Sequence, residues 1–217
     1  MAADVLIHLA FEGGAPGAPA EAAVAALYES GEFKGKTLDF VLLHHPEGLA
    51  ARRLLLVGAG KAESFGTAEL RTATGAAVRH LKGKGFRNLA LALAGEHASA
   101  AHVEAAVQGA LLGEHEPDQL KTDPTKGERR FNSFTLAVPD APGLDAAFHK
   151  GRVLAESQNF TRELVNTPAN LLYPLELARR AEAMAGEVGL DCEILDEARM
   201  RPVSYTHLSL MSADRTM

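Results

Sequence analysis

Short apolar runs alternate along the chain with segments in which apolar residues recur every three or four positions. The apolar runs are rich in Leu, Val and Ala and are bounded by Gly, Pro or Asn, a pattern typical of β-strands. Five runs predict strands at Asp4–Ala10, Leu38–Leu43, Arg53–Val57, Leu89–Ala94 and Ser133–Val138. After its first residue, the run from Arg53 to Val57 is wholly apolar, which indicates a strand buried on both faces.

Helices are predicted between these strands. Ala20–Ser30 is rich in Ala, and two further helices have Thr67 and Ser99 as predicted N-caps and end near Gly83 and Gly113. The alternation of strands and helices predicts an α/β domain with a mostly parallel or mixed sheet that helices cover.

The carboxyl-terminal third predicts the start of a second α/β unit. Asp145 is the predicted cap of a long helix that runs to about Val165, and Pro174 stands at the first position of another helix. Leu190–Leu195 then predicts a strand, and Asp196 begins a further helix. We expect this second unit to be incomplete.

Composition narrows the class of protein. The 217 residues are 47% hydrophobic and 23% charged with a net charge of −6, as in a globular protein with a sizeable core. The basic residues are scattered apart from short pairs, which favours a solvated surface over a phosphate-binding stripe, so a nucleic-acid partner is not expected.

The single cysteine excludes an internal disulfide framework. Without a signal peptide or an apolar membrane span in the sequence, we expect a cytoplasmic protein.

A glycine-rich turn follows the third predicted strand, in the run Leu54-Leu-Leu-Val-Gly-Ala-Gly-Lys61. A dinucleotide fingerprint needs a third glycine where Glu63 stands. A phosphate loop needs a glycine where one of these leucines stands and Ser or Thr in place of Ala62. Both templates fail, so we interpret the run as a structural turn after a buried strand.

The histidines and the cysteine give no convincing catalytic or metal site. His97 and His102 are five positions apart, whereas two zinc ligands on one helix are four apart. His44–His45 would point to opposite faces of a strand, and Glu114–Glu116 has a histidine but no clear further ligand. We interpret all of these histidines as surface or strand-end residues. Cys192 lies between two carboxylates, which disfavour a nucleophilic thiolate.

The segment from Asn159 to Asn170 joins the long helix to the next one through a proline corner. It resembles the segment that leads into the catalytic domain of leucyl aminopeptidases, in which an Arg-x-Leu-x-Asn-x-Pro-x-Asn pattern precedes a proline and a helix. The matching residues are Arg162, Leu164, Asn166, Pro168, Asn170 and Pro174. Tyr173 departs from the small capping residue that is usual there. Leu54–Leu93 also resembles the family's amino-terminal domain, so the resemblance covers about residues 1–200.

The resemblance implies a macro-domain-like α/β fold with a mixed sheet flanked by helices, followed by the truncated start of a peptidase domain. It implies a cytoplasmic, hexameric metallo-exopeptidase that uses two divalent metals, Mn or Zn, to remove N-terminal residues from peptides. The family's metal and catalytic residues lie in motifs such as Asp-Ser-Gly-Gly and Asn-Thr-Asp-Ala-Glu-Gly-Arg, and neither occurs here. We therefore expect no catalytic, metal or cofactor-binding residue in this chain and no activity from it alone.

Four regions follow from these observations. We predict a macro-like domain over residues 1–140, a linking helix and corner over 141–170, and the start of the catalytic domain over 171–201. Residues 202–217 do not resemble the family and are predicted to be a disordered, non-native tail, because Pro202 stops the preceding helix.

A second function class remains open. Macro-like domains elsewhere bind ADP-ribose-type ligands, and some relatives of the leucyl aminopeptidases bind DNA. The alternative is therefore a self-sufficient binding module for a nucleotide-type ligand or DNA, against which stand the acidic net charge and the failed phosphate-loop pattern.

Overall fold

Five strands form one mixed sheet in the computed structural model, which describes residues 3–15, 17–117, 122 and 130–200. The strands are β1 (Val5–Phe11), β2 (Phe40–His44), β3 (Arg53–Gly60), β4 (Asn88–Ala92) and β5 (Ser133–Ala137). Their order is β2-β3-β1-β4-β5. β2 pairs antiparallel with β3 and all other pairs are parallel, which confirms the predicted α/β fold class.

Six α-helices accompany the sheet in the described residues. They are α1 (Glu21–Ser30), α2 (Thr67–Leu81), α3 (Ala100–Glu114), α4 (Leu144–Asn166), α5 (Pro174–Val188) and α6 (Glu197–Met200). Short 3₁₀ turns at Ala62–Ser64 and Gly95–Ala98 precede α2 and α3. Of the described helices, none is long and apolar enough to cross a membrane.

The sheet lies between two apolar layers, and β3 contributes to both. Leu54 and Leu56 pack with Val24 of α1 and with Phe33 on one face. Leu55 and Val57 pack on the other face with the apolar sides of α2 and α3. All four β3 side chains are fully buried, because successive residues of a central strand point to opposite covered faces.

Glycines allow α2 and α3 to approach each other closely. A Cβ atom on Gly109 would lie 2.3 Å from the carbonyl oxygen of Arg71, and one on Gly113 would lie 2.4 Å from that of Gly75. Gly151 of α4 meets the backbone of Glu104 on α3 in the same way, at 2.7 Å. These helices therefore pack backbone to backbone, an arrangement that larger residues at the same positions would prevent.

The helix starts differ in detail from the prediction. Gly66, and not Thr67, is the N-cap of α2, and its N–H donates to the Glu69 carboxylate at 3.0 Å. Ser99 is the N-cap of α3 as predicted, but its Oγ lies 2.8 Å from Nδ1 of His102 and makes no hydrogen bond to the helix backbone. In α4 the helix begins at Leu144, so Asp145 lies in the first turn.

The chain divides into two compact units, residues 1–160 and 161–217. The domain boundaries at 140, 170 and 201 remain predictions, and the predicted tail at 202–217 lies outside the described residues. The predicted strand at Leu190–Leu195 is wrong, because this segment is irregular, and all of its residues except Ile194 are exposed. A strand needs a ladder partner, and the described residues 161–200 contain no other strand.

Candidate functional site

The glycine-rich turn after β3 is held by the chain's own backbone. The N–H of Gly58 donates to the Asp39 carbonyl at 2.8 Å, and the N–H of Gly60 donates to the Gly35 carbonyl at 2.9 Å. A Cβ on Gly58 would lie 1.8 Å from the carbonyl oxygen of Lys36. The two glycines therefore allow the segment that contains Gly35, Lys36 and Asp39 to pack directly against the end of β3. Because their N–H groups already bond to this segment, they are not available to bind a phosphate.

The crevice beside β1 is where a sheet of this topology would hold a ligand. The connection after β1 leads towards β3, whereas the connection after β3 crosses over to β4, so the carboxyl end of β1 lies at a topological switch point. Aromatic rings occupy this place. Phe11 and Phe65 meet edge to face with centroids 5.2 Å apart, and His97 stacks on Phe11 at 5.6 Å.

His97 and His102 belong to this aromatic cluster. Their ring centroids are 5.4 Å apart, and Nδ1 of His97 is buried without a hydrogen-bond partner among the described residues. Burial and the neighbouring His97 lower the pKa of His102, although Glu96 acts in the opposite direction. His97 follows the end of β4, in agreement with its interpretation as a surface or strand-end histidine, and its half-buried ring packs against Phe11 and Phe65.

The segment Glu114–Glu116 contains the carboxyl end of α3. Nζ of Lys82 bonds the Glu114 carbonyl and lies 2.7 Å from a carboxylate oxygen of Glu116. Arg79 donates to the His115 carbonyl at 3.1 Å. Two cations from the end of α2 thus satisfy the last carbonyls of α3, where the helix dipole favours positive charge. These helix-capping contacts account for the conformation of the segment without a metal ion.

The proline corner forms as the sequence indicates. α4 ends at Asn166, and Thr167 turns back so that its Oγ1 donates to the Glu163 carbonyl at 2.7 Å. The N–H groups of Leu171 and Leu172 both donate to the Pro168 carbonyl at 2.9 Å, and α5 begins at Pro174. Cys192 is exposed in the irregular segment that follows α5.

The described side chains do not fit a two-metal centre. Among them there is no group of three or more His, Cys, Asp or Glu side chains placed to hold a metal ion. A hydrolytic two-metal site needs several such ligands on each ion.

Comparison with known proteins agrees with the fold. The profile described as "Cytosol aminopeptidase family, N-terminal domain" matches residues 14–124. A "Probable cytosol aminopeptidase" of Solibacter usitatus is 48% identical over 206 residues, which cover 95% of this chain and 42% of the relative. The protein of the same description from Acidobacterium capsulatum is 39% identical, over 83% of this chain and 36% of the relative.

Solved structures show the same arrangement. The bottromycin maturation enzyme BotP matches 93% of this chain and 41% of its own with a TM-score of 0.75 and 29% identity. A mutant of tomato leucine aminopeptidase matches 94% of this chain and 43% of its own with a TM-score of 0.76, and at 24% identity this match shows the fold alone. The chain thus spans about two fifths of the length of these relatives.

Proposed function

The chain belongs to the cytosol aminopeptidase family, and we propose that it forms the amino-terminal domain and the first catalytic-domain elements of a metallo-exopeptidase. The observation that carries this proposal is the extent of the similarity. The family profile covers residues 14–124, and the similarity to the Solibacter relative covers 95% of the chain. An alignment of that length extends beyond the α/β domain and includes the proline corner.

The proposed reaction is the removal of N-terminal residues from peptides by the whole enzyme. Two divalent metals, manganese or zinc, would activate water and polarise the scissile carbonyl. The described residues offer no ligand set for these ions. On this proposal the chain would contribute a folded domain and the entry into the catalytic domain, while the chemistry would take place on residues outside those that the structure describes.

Assembly and location follow as parts of the same proposal. By its family, the whole protein would form a hexamer, act on peptides and reside in the cytoplasm. The name shared by the relatives, cytosol aminopeptidase, supports the location.

A peptidase assay tests whether peptide hydrolysis requires parts of the enzyme that lie outside this chain. The purified 217-residue chain and a full-length relative would be incubated with a leucyl-anilide substrate, with and without added manganese or zinc. We expect metal-dependent turnover from the relative alone. Metal-dependent turnover by this chain, above a mock-purified control, would refute the proposal.

A self-sufficient nucleotide-binding module receives no support from the geometry. Aromatic rings occupy the crevice beside β1, and the glycine N–H groups after β3 bond to the chain's own backbone.

A further inference from the structure

A groove runs between α2 and α3 on the solvent-exposed side of the two helices. Its volume is about 380 Å³, which is in the range of small-molecule sites. Polar side chains reach it from both helices, namely Arg71 of α2 and Glu104 and Gln108 of α3. The space between them stays open because three neighbouring lining residues have only a methyl side chain, Ala68, Ala101 and Ala105.

The close packing of the helices places Arg71 at one end of the polar row. The backbone of Arg71 meets α3 at Gly109, where a Cβ would lie 2.3 Å from the Arg71 carbonyl oxygen. This contact brings the Arg71 side chain beside Gln108, and its Nη1 donates to Oε1 of Gln108 at 3.5 Å. No carboxylate of the described residues pairs with Arg71, so its guanidinium group can still bind an anion.

Glu104 lies at the other end of the row and carries the opposite charge. Its side chain is 23% exposed, and its Oε2 lies 3.0 Å from Nζ of Lys150 on α4. The contact between Gly151 and the Glu104 backbone places Lys150 there. Oε1 of Glu104 accepts a hydrogen bond from Nε2 of Gln108 at 3.1 Å. A carboxylate oxygen can accept about two hydrogen bonds, so Glu104 retains the capacity to accept an ammonium group.

The amide of Gln108 indicates which chemistry fits between the two charges. Its oxygen accepts from the Arg71 cation, and its NH₂ group donates to the Glu104 carboxylate. A carboxylate and an ammonium group on one carbon atom present an acceptor and a donor in the same order. Because both groups are charged, they would form stronger hydrogen bonds with Arg71 and Glu104 than a neutral amide does.

We propose that this groove binds a free α-amino acid with an aliphatic side chain. The α-carboxylate of the ligand pairs with Arg71, and its α-ammonium group pairs with Glu104. The ligand takes the partners that Gln108 bridges in the free protein, and its side chain lies along the alanine methyl groups. The proposed peptidase would release such amino acids, but binding in this groove does not depend on the proposed function.

Ligands with a single kind of charge fit the groove less well. A phosphate dianion could pair with Arg71 but would lie close to the Glu104 carboxylate, which repels it. A metal cation could approach Glu104 but would be repelled by Arg71 and by Lys150. A zwitterion avoids both repulsions, since each of its charged groups lies next to a charge of the opposite sign.

Titration with leucine and two of its derivatives tests the proposal. Binding of leucine, N-acetyl-leucine and leucinamide to the full 217-residue chain would be followed by ligand-observed NMR. N-acetyl-leucine lacks the ammonium group and leucinamide lacks the carboxylate, so each should bind about tenfold more weakly than leucine, the effect of one lost hydrogen bond between charged groups. The absence of saturable leucine binding, or equal affinity for all three ligands, would overturn the proposal.

Two substitutions assign the ends of the ligand. Arg71→Gln should weaken leucine binding about tenfold and leave leucinamide binding unchanged, because leucinamide has no carboxylate to lose a partner. Glu104→Gln should weaken leucine binding by a similar factor and leave N-acetyl-leucine binding unchanged. If either variant weakens the binding of all three ligands equally, the proposed orientation is wrong.

A matched pair of alanine substitutions locates the binding in this groove. Ala101→Leu fills the groove from an exposed position of α3 and should abolish leucine binding. Ala22→Leu makes the same change at an exposed position of α1, which packs on the other face of the sheet, and should leave leucine binding unchanged. Circular dichroism should show that both variants are folded. Undiminished binding by Ala101→Leu, or equal losses in the two variants, would overturn the proposal.

Discussion

At the scale of single residues, a few polar groups hold the amino-terminal domain together. Asp4 joins the start of β1 to the turn before β4 by accepting two backbone N–H groups. Thr74 is in the opposite situation, because its hydroxyl is buried at the α2–α3 contact without a hydrogen-bond partner among the described residues. The Asp4 carboxylate should therefore stabilise the fold, and the Thr74 hydroxyl should destabilise it.

Asp4→Asn should destabilise the domain in a pH-dependent way. Because the folded state lowers the Asp4 pKa, the stability from its charge is present above the unfolded pKa of about 3.9 and is lost as the pH falls through the folded value. We expect a loss of about 1 kcal/mol near pH 7 that shrinks towards pH 3. Urea unfolding across this range measures it, with the exposed Asp140→Asn as control. A loss that does not change with pH would contradict the account.

Thr74→Val should stabilise the domain. The substitution keeps the shape of the side chain and removes a buried hydroxyl that has no partner among the described residues, which should add roughly 1 kcal/mol to the free energy of unfolding. Thr72→Val is the matched control in the same helix, because Oγ1 of Thr72 is exposed and donates to the Ala68 carbonyl at 2.9 Å. Thermal unfolding should show a higher midpoint for the first variant alone. A lower midpoint for Thr74→Val would mean that its hydroxyl has a partner in solution.

At the scale of elements, the periodicity of apolar residues predicted the strands and helices that depend on local sequence. It was wrong where an element needs a partner strand that the local sequence does not reveal. The five strands and the helices between them follow from apolar runs, glycine stops and caps. Leu190–Leu195 is apolar enough for a strand, but the sequence does not show whether a neighbouring strand exists to pair with it. The ring contacts of His97 could not be predicted for a similar reason, because they depend on Phe11 and Phe65, which are distant in the sequence.

The failure of the phosphate-loop template was predictable from the sequence. That failure at Gly58 and Gly60 agrees with glycines that serve backbone packing.

Gly109→Ala tests the close packing of α2 against α3. Alanine favours a helix over glycine by about 1 kcal/mol, but the new Cβ would lie 2.3 Å from the Arg71 carbonyl oxygen. The clash should exceed that gain and lower the thermal midpoint. Gly186→Ala in α5 is the control, because a Cβ there meets nothing within 4 Å and should raise helicity slightly. If Gly109→Ala behaves like Gly186→Ala, the helices do not pack as closely as described.

At the scale of the whole molecule, apolar exposure is concentrated in residues 161–200. Eight large apolar side chains there are exposed, from Val165 at 78% to Tyr173 at 40%. The set is Val165, Leu171, Tyr173, Leu175, Leu177, Val188, Leu190 and Leu195. Exposure on this scale is unusual for an isolated soluble domain and fits elements that belong to a larger catalytic domain.

The chain should accordingly associate with itself when purified alone. We expect concentration-dependent oligomers in sedimentation velocity and binding of a hydrophobic dye. Leu175→Glu combined with Leu177→Glu should reduce both, because it places charge on exposed apolar positions of α5. The control is Arg179→Glu at an exposed position of the same helix, which makes the same change in net charge and leaves the apolar side chains intact. A strictly monomeric chain that binds no dye would contradict this expectation.

The central claim is that this chain is the amino-terminal part of an aminopeptidase whose catalytic residues lie further along the gene. The most direct measurement is the genomic sequence downstream of the codon for Arg201. The account predicts an open frame that continues from that codon and encodes the Asp-Ser-Gly-Gly and Asn-Thr-Asp-Ala-Glu-Gly-Arg motifs. A genomic stop codon soon after Arg201, or a continuing frame that lacks both motifs, would contradict it.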